Sequence, residues 1–262
     1  MSGPIVSPEV AAPGITGWYG KIPSLGDFAS RRLPQDFIGV WDAWLQHSIA
    51  ASRASLGENW LDLYLNSPIW RFALMPGICG AGMWAGLLLP SVDRVGRHFP
   101  LTFALPLQAN AETFKEVVSA HDWYAALEQL ALSVLDIDFS VQDLENRLNE
   151  IVFPSASLTK PDDQVNQLSA WLATPSAAPC VLERSSLNSL AELFTSTAEH
   201  ALMATGQGKS FWWSVPEQTE GISLQCFAGL PPEDHFASLL RGAIPAAHPV
   251  VATASLIADA KS

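Results

Sequence analysis

The sequence has few cysteines, no basic start and no long apolar segment, and each shortage excludes a class of protein. Its three cysteines, Cys79, Cys180 and Cys226, are odd in number and widely spaced, which excludes a disulfide framework and indicates buried thiols in a reducing compartment. No Lys or Arg occurs in the first twenty residues, so the positively charged start of a secretory signal is missing. The longest nearly unbroken apolar run, Ile78–Pro90, is too short and too rich in glycine to span a bilayer. These absences predict a soluble cytoplasmic protein.

Basic charge is also scarce. The chain has 26 acidic and 14 basic side chains, for a net charge of −12. Residues 1–100 balance at seven of each, so residues 101–262 carry the whole acidic excess. Nucleic-acid binding requires clustered basic residues, and the chain offers nothing beyond pairs such as Arg31 and Arg32. We therefore expect no nucleic-acid partner, and we interpret the acidic half as a solvated surface that keeps the protein soluble.

Residue patterns for metal binding and nucleophilic catalysis are missing too. The six histidines never lie three or four residues apart, and no cysteine pair has zinc-finger spacing. No G-x-S-x-G elbow of a serine hydrolase is present. His121 falls on the apolar stripe of its helix and is interpreted as a core residue. The sequence thus predicts no metal, no cofactor and no enzyme. A site assembled from distant residues stays open, and the alternative is a hydrolase-like enzyme with a site near Asp27, Arg97 and His98.

Apolar periodicity predicts a layered α/β domain. Alternating or continuous apolar runs predict strands at Trp18–Ile22, Ile69–Leu74, Gly82–Leu89, Phe99–Leu105, Phe211–Val215 and Ile222–Phe227. Helical spacing and caps predict helices from Pro34, from Asn110 through Val134, over Val141–Ile151, near Trp171, over Leu187–Met203 and over Pro232–Leu240. The connections are too hairpin-like for an all-parallel sheet.

One charged turn separates two strongly apolar runs. Asp93, Arg94 and Arg97 surround Gly96, and the run after the turn places Phe99, Leu101, Phe103 and Leu105 on one face by alternation. We expect Asp93 to accept hydrogen bonds from backbone N–H groups of the turn, and Gly96 to adopt the positive φ that a β-carbon would penalise. This pattern predicts a rigid, charged connection that a surface partner would meet first.

Charged and aromatic residues cluster around this turn and around the exit of the first strand. Arg, Trp and Phe are enriched at binding hot spots, because each offers a large contact area and Arg adds forked hydrogen bonds. In an alternative that does not exclude recognition, Asp27 and Asp93 pair with Arg71, Arg94 or Arg97 and fix the loops. The predicted partner-binding residues are Lys21, Asp27, Phe28, Arg31, Trp70, Arg71, Asp93, Arg94 and Arg97.

Three long motifs carry a resemblance to a known family. They are G-K-I-P-S-L-G-D-F at residues 20–28, S-P-I-W-R-F at 67–72 and P-S-V-D-R-V-G-R-H-F-P-L-T at 90–102. Weaker matches follow in S-F-W-W at 210–213 and G-L-P at 229–231. In these pieces and their order the chain resembles the TagF accessory proteins of bacterial type VI secretion systems. The resemblance covers most of residues 17–240 and is dense over 17–107.

The resemblance implies a fold, a function and a partner. TagF proteins act as post-translational negative regulators that hold the forkhead-associated scaffold protein of the secretion system, and no family motif marks a catalytic residue. The resemblance implies a three-layer α/β/α sandwich, for which we expect a mixed, largely antiparallel central sheet. We expect one TagF-like domain at residues 15–241, with a more divergent acidic part from 108, between a disordered leader (1–14) and a flexible tail (242–262).

Overall fold

The fold comes from a computed structural model, which describes residues 14–154, 162–174, 179–215 and 222–242. The predicted leader and tail lie almost wholly outside these residues. The strands are β1 (Gly17–Gly20), β2 (Ala29–Arg31), β3 (Trp70–Leu74), β4 (Met83–Leu89), β5 (Leu101–Leu107), β6 (Lys209–Ser214) and β7 (Ser223–Ala228). The α-helices are α1 (Gln35–Leu56), α2 (Trp60–Leu65), α3 (Ala111–Ser119), α4 (His121–Val134), α5 (Val141–Glu150), α6 (Asp163–Ala173), α7 (Leu187–Gly206) and α8 (Phe236–Arg241). No helix in the described part of the chain is long and apolar enough to cross a membrane.

The strands form one sheet in the order β2-β1-β5-β4-β3-β6-β7. Every pairing among the described strands is antiparallel. The predicted α/β fold with a largely antiparallel sheet is therefore confirmed. The β4–β5 hairpin lies near the middle of the sheet, and its register places Leu87 opposite Phe103. Because β1 pairs antiparallel with β5, the end of β1 lies beside the start of β5. The turn between β4 and β5 therefore lies beside the β1–β2 loop.

Helices cover both faces of the sheet, which makes three layers. On one face, β4 and β5 pack with α3, α4 and α5 in a core that includes Leu87, Phe103 and Leu127. On the other face, α1, α2 and α8 bury an aromatic core that includes Trp41 and Trp212. Successive strand residues point to opposite faces, so a sheet covered on both sides needs nearly continuous apolar strands. All seven residues of β4 are buried for this reason.

The long helix predicted after Asn110 is wrong in one respect. Asn110 does cap a helix, since its side chain accepts a hydrogen bond from the Thr113 N–H at 2.8 Å. However, Ala120 has φ −74° and ψ +51°, and this non-helical ψ separates α3 from α4. His121 is the first residue of the new helix, and its side chain is exposed instead of in the core. The core interpretation of His121 is therefore wrong.

Candidate protein interaction site

The turn between β4 and β5 has the predicted geometry. The Asp93 carboxylate accepts hydrogen bonds from the backbone N–H of Val95 at 3.1 Å and of Arg97 at 2.8 Å. Gly96 has φ +82°, in the left-handed region that glycine enters without steric cost. A backbone bridge between Val92 and His98 closes the base of the turn. The turn is therefore rigid, as its sequence predicts.

A buried ion pair joins this turn to the β1–β2 loop. Lys21 Nζ lies 2.5 Å from Asp93 Oδ2, and the two side chains are 4% and 0% exposed. Arg97 Nε lies 2.6 Å from the same oxygen, while its Nη2 donates to the Gly26 carbonyl at 2.6 Å. The backbone N–H of Arg94 donates to the Leu25 carbonyl at 3.0 Å. Two loops that are distant in sequence are consequently held as one unit.

The surroundings of Asp93 fix its charge. Burial alone would raise the pKa of its carboxyl, but hydrogen bonds from Lys21, Arg97 and the Val95 N–H outweigh burial and hold the pKa well below its usual range. Because those donors already occupy both carboxylate oxygens, Asp93 is not available as a general base. Its role in this arrangement is to position the turn.

Phe28 sits on top of this ion pair and is 44% exposed. The Lys21 ammonium lies 4.6 Å from the centre of the Phe28 ring. The same ring packs edge-on against Phe99 with centroids 4.7 Å apart. The preceding residue, Asp27, accepts a hydrogen bond from the Phe28 N–H at 2.8 Å. These contacts hold an aromatic side chain at the surface in a fixed position.

Helix α2 supports the turn from below, a contact that the sequence did not predict. The Tyr64 hydroxyl donates to the Ser91 carbonyl at 2.8 Å and accepts from the Ser91 N–H at 3.0 Å. The His98 ring packs edge-on against Trp60 and Tyr64, with centroids 5.8 and 5.6 Å away. Burial, with a smaller contribution from the Arg53 guanidinium, lowers the pKa of His98. The four-residue spacing of Trp60 and Tyr64 is the only local signal that could have indicated this support.

Four exposed apolar and basic side chains of the pinned loops, beside the exposed Asp27, form what we call the hairpin surface. Val95 is 70% exposed, and the side chain of Arg97 is 56% exposed despite its bond to Asp93. The Arg94 side chain is exposed and has no ion-pair or hydrogen-bond partner among the described residues. Free guanidinium N–H groups can donate hydrogen bonds to the carboxylates of a partner. The apolar side chains beside them can exclude water from those hydrogen bonds. The hairpin surface consists of Phe28, Arg94, Val95 and Arg97.

Three other predicted binding residues, Trp70, Arg71 and Arg31, lie elsewhere. Trp70 is 3% exposed, and its indole N–H donates to the Leu239 carbonyl at 3.1 Å in the aromatic core. Arg71 is buried against the opposite helical layer, where it makes a forked ion pair with Glu128 at 2.7 and 2.9 Å. Neither side chain is presented at the surface. Arg31 is partly exposed on the edge strand β2.

The predicted ion-pair partners were only partly right. Asp93 pairs with Arg97, as one of the predicted alternatives states, but also with Lys21, which the sequence did not predict as its partner. Pairing of an aspartate with Arg71 is wrong, because Arg71 is engaged by Glu128. Arg71 lies on the face of β3 that is turned toward α4, on the opposite side from Trp70 and Phe72.

The three residues of the hydrolase alternative are not joined to one another and do not line a described cleft. Among the described residues, no hydrogen bond or ion pair joins His98 to Asp27 or Arg97, since the His98 ring packs against aromatic side chains instead. A cleft of about 560 Å³ opens between His121 and Phe153, and none of those three residues lines it. Within the same described ranges, no three His, Cys, Asp or Glu side chains are grouped so that they could hold a metal ion.

Comparison with known proteins agrees with the motifs that build the hairpin surface. A sequence model described as the TagF N-terminal domain, type VI secretion system-associated, matches residues 17–151. The crystal structure of PA0076 from Pseudomonas aeruginosa PAO1 is 32% identical and superposes with a TM-score of 0.67, covering 88% of this chain and 97% of that one. No curated protein matches the chain. This chain belongs to the TagF family of type VI secretion system-associated proteins.

Proposed function

We propose that this protein is a non-enzymatic, post-translational negative regulator that binds the forkhead-associated scaffold protein of its type VI secretion system in the cytoplasm. The association with type VI secretion follows from family membership. The regulatory role and the scaffold partner are what the TagF resemblance implies. The hairpin surface is the part of the molecule through which we expect binding.

The observation that carries this proposal is the buried ion pair next to Arg94, whose exposed side chain has no ion-pair or hydrogen-bond partner among the described residues. A buried ion pair adds little net stability, because the cost of removing both charges from water offsets their attraction. The Lys21–Asp93 pair does fix the turn, and Arg97 and the Leu25 carbonyl extend that constraint to both loops. A surface that is already ordered loses less conformational entropy when it binds. The buried network therefore prepares Arg94 and Val95 for contact.

The chemistry of the hairpin surface differs from that of the rest of the molecule. The chain as a whole carries a net charge of −12, yet Arg94 and Arg97 present guanidinium groups beside Phe28 and Val95. Such a surface fits a partner that offers carboxylates around an apolar patch. The rest of the acidic molecule would repel that partner in most other orientations, which favours one mode of docking.

Titration of the purified scaffold tests the proposal. Arg94→Glu is the sharpest variant, because Arg94 has no side-chain partner within the described residues, whereas Arg97 holds Asp93. We expect Arg94→Glu to weaken binding by roughly 2 kcal/mol or more, about thirtyfold in Kd. The matched control is Arg147→Glu on α5, which makes the same charge change at an exposed position in another part of the fold.

Two results would contradict the proposal. Equal binding by wild type, Arg94→Glu and Arg147→Glu would remove the hairpin surface from the interface. No binding by the wild type would overturn the scaffold as the partner. Circular dichroism spectra and melting curves of each variant establish that a loss of binding is not a loss of folding.

A further inference from the structure

The edge strand β7 lacks the features that usually prevent strands from pairing between molecules. It is the last strand in the sheet order, and no further strand pairs with it among the described residues. Its six residues, S-L-Q-C-F-A, contain no charge and no proline. Natural sheets protect such edges with short strands, charges, proline or bulges. The opposite edge is protected in this way, because β2 has only three residues and carries Arg31.

An exposed apolar stripe lies beside this unprotected edge. Leu224 is 61% exposed, and Cys226, two residues along the same face, is exposed as well. Val215, which follows Ser214, and Ile222, which precedes Ser223, are 48% and 62% exposed and flank the last β6–β7 pair, Ser214 with Ser223. On the other face of the strand, Gln225 is covered by the turn before α8, since its side-chain oxygen lies 2.7 Å from His235 Nε2. Only one face of the edge is therefore open.

We propose that β7 pairs with β7 of a second copy of this chain, antiparallel about a two-fold axis, so that the two sheets become one. The outer N–H and C=O groups of an edge strand are satisfied best by another strand. A two-fold axis perpendicular to the sheet keeps the open faces of both copies on the same side, so the two apolar stripes join. Since β7 carries no charge, self-pairing places no like charges opposite each other within the strand.

The predicted dimer is weak and depends on salt. One strand pair and a narrow apolar stripe bury less area than a stable dimer interface does. The net charge of −12 on each copy repels the other copy over long distances, and salt screens this repulsion. Self-association should therefore strengthen as ionic strength rises. Binding that depends on the guanidinium groups of the hairpin surface should weaken under the same change, which separates the two sites experimentally.

Sedimentation of the 262-residue chain over a wide concentration range, at low and at high salt, tests this proposal. We expect a monomer–dimer equilibrium with a lower dissociation constant at high salt. Leu224→Lys should raise that constant at least tenfold, because it places a charge within the paired edge. The control is Leu172→Lys on α6, where the wild-type side chain has the same exposure of 61%. Both variants reduce the net negative charge equally, so an effect of overall charge would strengthen association in both.

Each other outcome overturns the proposal. A monomer at every concentration and ionic strength excludes a second copy as the occupant and leaves the edge to a strand of another protein. A dimer that Leu224→Lys leaves unchanged places the interface elsewhere on the molecule. Equal weakening by Leu224→Lys and Leu172→Lys shows that the effect is not specific to β7. Circular dichroism confirms that both variants are folded before they are compared.

Discussion

Replacing Gly96 tests whether the turn that presents the hairpin surface is built as described. Gly96 has φ +82°, and a β-carbon at this position would meet no heavy atom within 4 Å. The cost of Gly96→Val is therefore a backbone cost alone, about 1–2 kcal/mol for an L-residue in the left-handed region. The substitution also restricts the unfolded chain, which offsets roughly 0.4–1 kcal/mol. We expect a net loss of about 1 kcal/mol.

Two further variants separate backbone strain from steric clash. Gly96→Asn should cost less than Gly96→Val, because asparagine tolerates the left-handed region better than a β-branched residue does. Gly20→Ala should cost more than either, since Gly20 has φ +137° and its β-carbon would lie 2.2 Å from the Pro100 carbonyl oxygen. Strain and overpacking together amount to roughly 2–5 kcal/mol there.

Thermal and urea unfolding of the three variants decides the matter. For a domain of this size, a loss of 1 kcal/mol lowers the melting temperature by roughly 2–4 °C. We expect the loss of unfolding free energy to decrease in the order Gly20→Ala, Gly96→Val, Gly96→Asn. An unchanged midpoint for Gly96→Val, or equal losses for Val and Asn at this position, would refute the left-handed turn.

Three further predictions concern buried or partly buried groups. Burial lowers the pKa of His98 from 6.5, so the unfolded chain takes up a proton at this residue before the folded protein does as the pH falls below about 7. The wild type should therefore lose unfolding free energy between about pH 7 and 5.5, and His98→Gln should lose less over the same range. Equal pH dependence of the unfolding free energy in the two proteins would contradict this. Despite its burial, the Asp93 carboxyl has a lowered pKa because Lys21 and Arg97 donate hydrogen bonds to it. Its contribution to stability is therefore present above the unfolded pKa of 3.8 and is lost as the pH falls further. Asp93→Asn should make the free energy of urea unfolding less dependent on pH below about 4, and an unchanged pH dependence would be incompatible with the network. The Trp41 indole N–H donates to Thr102 Oγ1 at 2.8 Å in the aromatic core. Trp41→Phe removes this hydrogen bond and leaves a cavity, so it should lower the free energy of urea unfolding by roughly 2–4 kcal/mol. A loss below about 1 kcal/mol would contradict the close packing of Trp41 in this core.

The turn could be predicted from the sequence because its chemistry is local. Asp93, Gly96 and Arg97 lie within five consecutive residues, and the roles of Asp and Gly in turns depend on short-range hydrogen bonds and φ angles. The strands could also be predicted, because each contains more consecutive or alternating apolar residues than an exposed segment would. Each predicted strand is confirmed to within about two residues at either end.

The partners of the buried charges could not be predicted, because they lie far apart in the chain. Lys21 and Asp93 are separated by 72 residues, and Arg71 and Glu128 by 57. Sequence proximity indicates only Arg97, which is one of the two partners of Asp93. Arg71 also follows Trp70 in a strand that is buried on both faces, and charge alone does not show which face receives a salt bridge.

Two local features were missed for a different reason. β2 has three residues, too few for alternation to be recognised, and it exists because it pairs with β1. The end of α3 has no glycine or proline to mark it, since the non-helical residue is Ala120. In both cases tertiary contacts override weak local preferences.

Type VI secretion in the bacterium that encodes this chain is the most direct test of the regulatory account. Strains carrying the wild type, a deletion, Arg94→Glu or Arg147→Glu at the native locus are compared for secreted effector in the culture supernatant, with protein abundance measured alongside. The account predicts that Arg94→Glu raises secretion to the level of the deletion, while Arg147→Glu matches the wild type. A deletion that leaves secretion unchanged, or an Arg94→Glu strain that secretes like the wild type, would contradict it.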